Sequence, residues 1–217
     1  MNRREFSAGT ACVLAAAALG LPGALFAQAK QPEEGTEYLT LGKIVPVDAP
    51  PGKVEVIEFF WYACPHCNAF EPRLDAWIRK QPADVVVKRV PVAFRDDFVP
   101  QQRLFYVLEA MGKLDQLHAK VFQAVHVNRE PLNREELILD WAAKQGLDPA
   151  KFKELYNSFS VSSKARRATQ LQDAYKVQGV PSLGIAGRYY TDGTIARTME
   201  RALQVTDHLV AEARKSR

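Results

Sequence analysis

Val54-Glu55-Val56-Ile57-Glu58-Phe59-Phe60-Trp61-Tyr62-Ala63-Cys64-Pro65-His66-Cys67 joins an apolar strand directly to a C-x-x-C. The run 54–61 is rich in β-branched and aromatic residues and follows the turn-forming Ala49-Pro50-Pro51-Gly52, so it reads as a central strand. Immediately after the cysteines, Phe70, Leu74, Trp77 and Ile78 share one face at helical spacing, with Pro72 predicting a kink. Cys64 is thereby placed at a helix N-terminus, where unpaired N–H groups and the helix dipole favour a thiolate.

Downstream, Asp84 leads into the strand pattern of 85–92, which completes a β-α-β unit with a right-handed crossover. Upstream, 38–45 alternates as a short strand. After Asp97 the texture becomes helical, with one stripe at Leu104, Val107, Leu108 and Met111 and another at Leu117, Val121, Phe122 and Val125. Asn133 and Glu136 resemble a capping box before Leu137, Ile138 and Trp141. Asp148-Pro149 reads as a cap before Phe152, Leu155, Tyr156 and Phe159, and 162–177 is a last helical segment of this block. Leu183 to Thr191 then reads as a hairpin turning at Gly187, and Thr198 opens a final helix. The expected architecture is α/β, with an all-helical insertion between the second strand of the β-α-β unit and the closing hairpin.

Residues 1–29 are expected to be a signal peptide: Arg3 and Arg4 precede an apolar run over 11–26 and an A-x-A at Ala27-Gln28-Ala29, with cleavage after Ala29. Arg3, Arg4 and Phe6 partly match a twin-arginine signal, and a retained single anchor is the competing reading. The rest is long enough for one domain with a sizeable core. Its charges are mixed in sign, the formal charge of the whole chain is +4, and no basic block interleaves with aromatics, which argues against a nucleic-acid role. Of the three cysteines, Cys12 leaves with the signal, so the exported chain keeps only Cys64 and Cys67 and has no disulfide framework.

A C-x-x-C at a helix start suits dithiol–disulfide exchange, with Cys64 as nucleophile and Cys67 as resolving thiol. Pro65 suits the first helical turn. His66, by charge or hydrogen bond, stabilises the Cys64 thiolate and hence the reduced form, which makes the disulfide an eager oxidant. Glu58 lies in the most apolar strand, so it must find a partner, Lys88 or Arg89, or hold a raised pKa, and it points toward the cysteine-bearing helix. There it could relay the proton of Cys67 or serve as a structural pair. Val180-Pro181 opens a strand in a loop, a usual place for a cis bond that would aim the Val180 backbone at an extended substrate. Zinc would need more ligands than two thiolates and His66, since His118, His126 and His208 lie on other helices. A mere local staple would close too small a loop to stabilise much.

Together, Glu58-Phe59-Phe60 running into Cys64-Pro65-His66-Cys67, the helical insertion, and Gly179-Val180-Pro181 followed by a strand and Gly187 resemble the bacterial periplasmic thiol:disulfide oxidase family DsbA. The likeness spans essentially all of 30–217. It implies a thioredoxin-like fold with parts at 30–96 and 178–217 around a helical insertion at 97–177. It also implies Cys64 as a low-pKa nucleophile, strongly oxidising behaviour, of which DsbA is itself the standard example, Glu58 as a buried acid beside Arg89 rather than Lys88, and Pro181 as a cis-proline. Asn68 departs from the bulky residue often found after the second cysteine. The implied activity is donation of the Cys64–Cys67 disulfide to newly exported polypeptides in the periplasm by a monomer. No dissociable cofactor is implied, and a quinone-linked membrane oxidase resembling DsbB would reoxidise the pair. Phe60, Trp61 and Tyr62 are candidates for an adhesive apolar surface, with core packing the competing reading for Phe60. The rival functions are a disulfide isomerase or reductase of the same fold, and a non-enzymatic exported binding protein with a structural C-x-x-C.

Overall fold

The structure is a computed structural model and describes residues 31–215. The signal-peptide expectations for 1–29, including cleavage after Ala29 and the loss of Cys12, lie outside the described residues.

Five strands form one sheet in the order β1-β5-β4-β2-β3: β1 (Leu39–Thr40), β2 (Val54–Phe60), β3 (Val85–Pro91), β4 (Ser182–Ile185) and β5 (Tyr189–Asp192). β2 is parallel to β3 and antiparallel to β4, and every one of its residues is buried. Such a strand needs no polar–apolar alternation, which is why it reads as a continuous apolar run. α1 (Pro65–Ile78) connects β2 to β3 and passes through Pro72 without ending. α7 (Met199–Lys215) closes the chain, with the Thr198 hydroxyl accepting from Arg201 N–H at 3.0 Å as its cap. α1 and α7 cover one part of the sheet through Phe70, Leu74, Leu203 and Leu209, packed with Val54, Val56, Leu183 and Ile185.

Between β3 and β4 stand α2 (Val99–Ala110), α3 (Leu114–His126), α4 (Glu135–Lys144), α5 (Pro149–Tyr156) and α6 (Phe159–Ala174). Leu104, Phe105, Phe122, Ile138, Trp141 and Phe152 make their common core, which is continuous with Phe59, Phe60 and Tyr62. This is the thioredoxin-like arrangement with an inserted helical block.

Several local expectations change. Asn133 does not cap α4; Arg134 holds that position in extended geometry with no side-chain bond. The buried Leu132, at φ +38, sets how the chain enters the helix, so packing overrides the local capping pattern. Phe159 does not extend the α5 stripe but begins α6 and is 81% exposed: α5 ends at Tyr156 with Asn157 as its C-cap, and Ser158 caps the next helix through Val161 N–H. The 38–45 strand contracts to Leu39–Thr40, although Leu41 and Val45 still donate to the carbonyls of Arg188 and Gly187. The cap at Asp148 holds, accepting from Lys151 N–H at 2.9 Å.

One contact fixes the loop that faces the cysteines. Tyr175, at the end of α6, lays its ring against Phe59, and its hydroxyl accepts from Gly187 N–H at 3.0 Å. Gly184 makes room for that ring: a Cβ there would fall 2.4 Å from Tyr175 Cε1. The segment 176–181 is thus tethered on both sides before it reaches Pro181.

Candidate active site

Cys64 is the N-cap of α1 and Pro65 its first residue, as the helix start requires. Cys64 Sγ accepts from Cys67 N–H at 3.3 Å. Both cysteines are free thiols. They differ in setting: Cys64 retains 7% of its surface and Cys67 none. The Cys67 thiol donating to Cys64 is the largest influence lowering the Cys64 pKa, to about 6; burial opposes it, and backbone donors at 66 and 67 together with the His66 charge assist. Cys67 moves the other way, pushed well up by burial and then by the neighbouring Cys64. His66 is exposed beside the pair.

The Val180–Pro181 bond is cis, and the Val180 carbonyl oxygen lies 3.4 Å from Cys64 Sγ. Leu39, His66, Val180, Pro181, Tyr190, Ile195 and Met199 border a groove of about 670 Å³ that starts at this point. Of the three aromatics proposed as adhesive surface, Phe60 and Tyr62 are fully buried. Trp61 alone reaches the surface, stacked on Phe98 at 3.9 Å, with the 39% exposed Phe94 at the edge of Phe98.

Glu58 is completely buried. Strand register sets Arg89 directly across from it, with Nε 3.2 Å from Glu58 Oε2. The approach is not along a hydrogen-bond direction, and both Glu58 oxygens lack a hydrogen-bond partner. Arg89 spends its N–H groups elsewhere, on Glu71 at 2.9 and 3.4 Å and on Asp75 at 2.6 Å. Burial, then the Glu71 charge, therefore push the Glu58 pKa well above the ordinary carboxylate value, and Arg89 only partly offsets them. Lys88, the other basic candidate, pairs with Asp48 instead, since alternation turns it to the opposite face.

Glu71, Asp75, His118, His126 and Gln101 carry no motif in the sequence, yet all stand in this neighbourhood. Burial raises the Glu71 pKa, but the His118 hydrogen bond and the charges of His118 and Arg89 outweigh it and hold Glu71 below its usual value. His118 links Glu71 Oε1 at 3.1 Å to the Tyr62 hydroxyl at 2.8 Å. A second groove, of about 470 Å³, is bordered by Asp75, Arg89, Glu109 and His118 and brings solvent to the outer end of this network. The helical spacing of Glu71 with Cys67 was the one available sequence signal, since i and i+4 share a face.

Comparison with known proteins identifies what the chain is similar to. Residues 89–204 match the family model of the DSBA-like thioredoxin domain. The chain is 43% identical over 204 residues to the thiol:disulfide interchange protein DsbA of Bordetella pertussis, covering 94% of this chain and 96% of that protein. It is 39% identical over 193 residues to the protein of the same name from Pseudomonas aeruginosa PAO1, with coverage of 88% and 91%. Among solved structures, Pseudomonas aeruginosa DsbA superposes with a TM-score of 0.80 at 39% identity, covering 85% of this chain and 95% of the other. The oxidoreductase DsbA from Xylella fastidiosa gives 0.78 at 29% identity, covering 85% and 98%.

Proposed function

The chain belongs to the DsbA family, and we propose that within its thiol:disulfide oxidase activity Cys64 is the sulfur that exchanges with substrate, while Cys67 is the sulfur that leaves as the disulfide opens and would resolve the mixed disulfide only in the reverse direction. The activity itself is disulfide donation by thiol–disulfide exchange at the C-x-x-C. The observation that carries the assignment is the opposition between the two cysteines: Cys64, which keeps a small accessible surface, is held near pKa 6, and Cys67, which keeps none, is held well up.

A substrate thiolate attacks Cys64 Sγ of the disulfide, the Cys64–Cys67 bond breaks, and its electron pair leaves on Cys67, which takes up a proton. A second substrate thiolate then attacks the substrate sulfur of the mixed disulfide. The substrate disulfide forms and Cys64 departs as a thiolate, a good leaving group because its pKa is low. Two electrons pass from substrate to protein. His66 and Pro65 shape the helix start that stabilises the departing charge. The Val180 backbone, beside Cys64, pairs with substrate main chain, and the groove below Pro181 takes apolar side chains next to the substrate cysteine. A Cys67→Ala variant tests this order of events: carrying Cys64 alone, it should accumulate a stable mixed disulfide with a reduced peptide under mild oxidation. Adducts at Cys67 in a Cys64→Ala protein, at equal yield, would reverse the roles.

Glu58 supplies and accepts the Cys67 proton, since a buried carboxyl with a raised pKa is protonated where an ordinary one is not. Glu58→Gln should slow exchange several-fold, roughly 1 kcal/mol of barrier, and flatten its pH profile. An unchanged rate and profile would reduce Glu58 to a structural role. The substrates are reduced exported polypeptides, the compartment is the periplasm, the working form is a monomer without a dissociable cofactor, and reoxidation falls to a DsbB-like quinone-linked membrane partner. Family membership supports the exported substrates and the periplasm.

A further inference from the structure

The residues just before Cys64 form a tight turn in which Cys64 N–H donates to the Trp61 carbonyl at 3.0 Å. The central peptide of that turn joins Tyr62 to Ala63, and both ends of this single peptide group are held by side chains of the inserted helices. His126, the last residue of α3, donates from Nε2 to the Tyr62 carbonyl at 2.8 Å. Ala63 N–H donates to Gln101 Oε1 of α2 at 3.1 Å. A carbonyl only accepts, so Nε2 of His126 carries a proton whatever the state of Nδ1. Gln101 is 2% exposed, and its amide nitrogen donates to the Pro131 carbonyl at 3.3 Å, so both ends of its amide are committed and its orientation is fixed. The His126 ring lies along Phe122, with centroids 6.1 Å apart and planes within 23°.

Turn types differ chiefly in the rotation of this central peptide. We propose that His126 and Gln101 are positioning residues that pin the Tyr62–Ala63 peptide and so hold the Cys64 sulfur against Cys67 N–H in the reduced protein. This rests on the reading of Cys64 as the thiolate nucleophile. The consequence is specific to one redox state. In the disulfide form the S–S bond itself keeps Cys64 beside Cys67; in the dithiol form, the state described here, only non-covalent contacts do so. Loosening the turn therefore penalises the reduced form and leaves the oxidised form nearly untouched, which weakens the protein as an oxidant. The helical block, on this account, is part of the redox centre.

The test is ultraviolet titration of the Cys64 thiolate in the reduced protein, together with the exchange equilibrium against glutathione. His126→Phe keeps a ring on Phe122 but removes the donor; Gln101→Leu removes the acceptor of Ala63 N–H; His126→Gln keeps an N–H. His126→Phe and Gln101→Leu should raise the titration midpoint and weaken the oxidising equilibrium by about fivefold or more, the scale of an unsatisfied buried polar group. His126→Gln should stay within about twofold of wild type. Unchanged midpoints in the first two, or an equal shift in both His126 variants, overturns the proposal. The wild-type Ala63 amide needs no variant to fold: it should exchange with deuterium far more slowly than a free turn amide, and fast exchange also overturns the clamp. A low wild-type midpoint with unaffected variants refutes the clamp alone, whereas an ordinary thiol midpoint in the wild type refutes the nucleophile reading and the clamp with it.

Discussion

Replacing Cys64 by alanine should abolish disulfide donation, with the rate of substrate oxidation falling to that of the uncatalysed mixture. The remaining Cys67 cannot substitute, because it has no exposed surface and burial holds its thiol protonated even without Cys64 beside it. The fold should survive: the change removes one sulfur at a helix start, a cap worth about 1 kcal/mol. The measurement is oxidation of a reduced two-cysteine peptide, with circular dichroism confirming the fold. Oxidation of the peptide by the folded variant at the wild-type rate would contradict the assignment of Cys64 as the exchanging sulfur.

The second large effect is a pH-dependent difference in stability between the reduced and disulfide forms. The Cys64 pKa falls from 9.0 to about 6 on folding. A depressed acid contributes stability that is fully present above the unfolded value and is lost as pH falls through the folded one. Between pH 5 and pH 8 the reduced form should therefore gain about 2–3 kcal/mol relative to the oxidised form. Cys67, held protonated when folded, adds nothing in that window and subtracts only above the ordinary thiol range. Glu58 acts oppositely, since its raised pKa favours folding at low pH, but it is present in both redox forms and largely cancels in the comparison. Urea unfolding of the two forms across this range checks the prediction. A difference that stays flat with pH would mean that the Cys64 thiolate gains nothing from the fold.

What could be read from the sequence was local. The strand, the C-x-x-C and the helix after it are neighbours in the chain, so burial pattern and cap position follow from spacing alone. The helical block was legible as stripes, because each helix carries its own apolar face, although Asn133 shows that a helix start can be set by packing from outside the segment, and Phe159 that a local cap at Ser158 can divide one apparent stripe between two helices. Lys88 and Arg89 were hard to separate because the choice depends on strand register: only when Arg89 is set opposite Glu58 does alternation send Lys88 to Asp48. Glu71 offered only its i+4 spacing from Cys67, and His118, Gln101 and His126 were illegible for a stronger reason. Each is an unremarkable polar residue in its own helix and becomes part of the site only through partners 18 to 64 residues away, as in Arg89–Glu71 and His126–Tyr62.

The most direct test of the central claim is the equilibrium of the purified protein with glutathione, read by trapping free thiols. A potential well above the glutathione poise is the expected result, because a Cys64 held near pKa 6 stabilises the reduced form and makes the disulfide a ready donor. A potential as low as that of a structural disulfide or a cytosolic-type reductant would contradict the account.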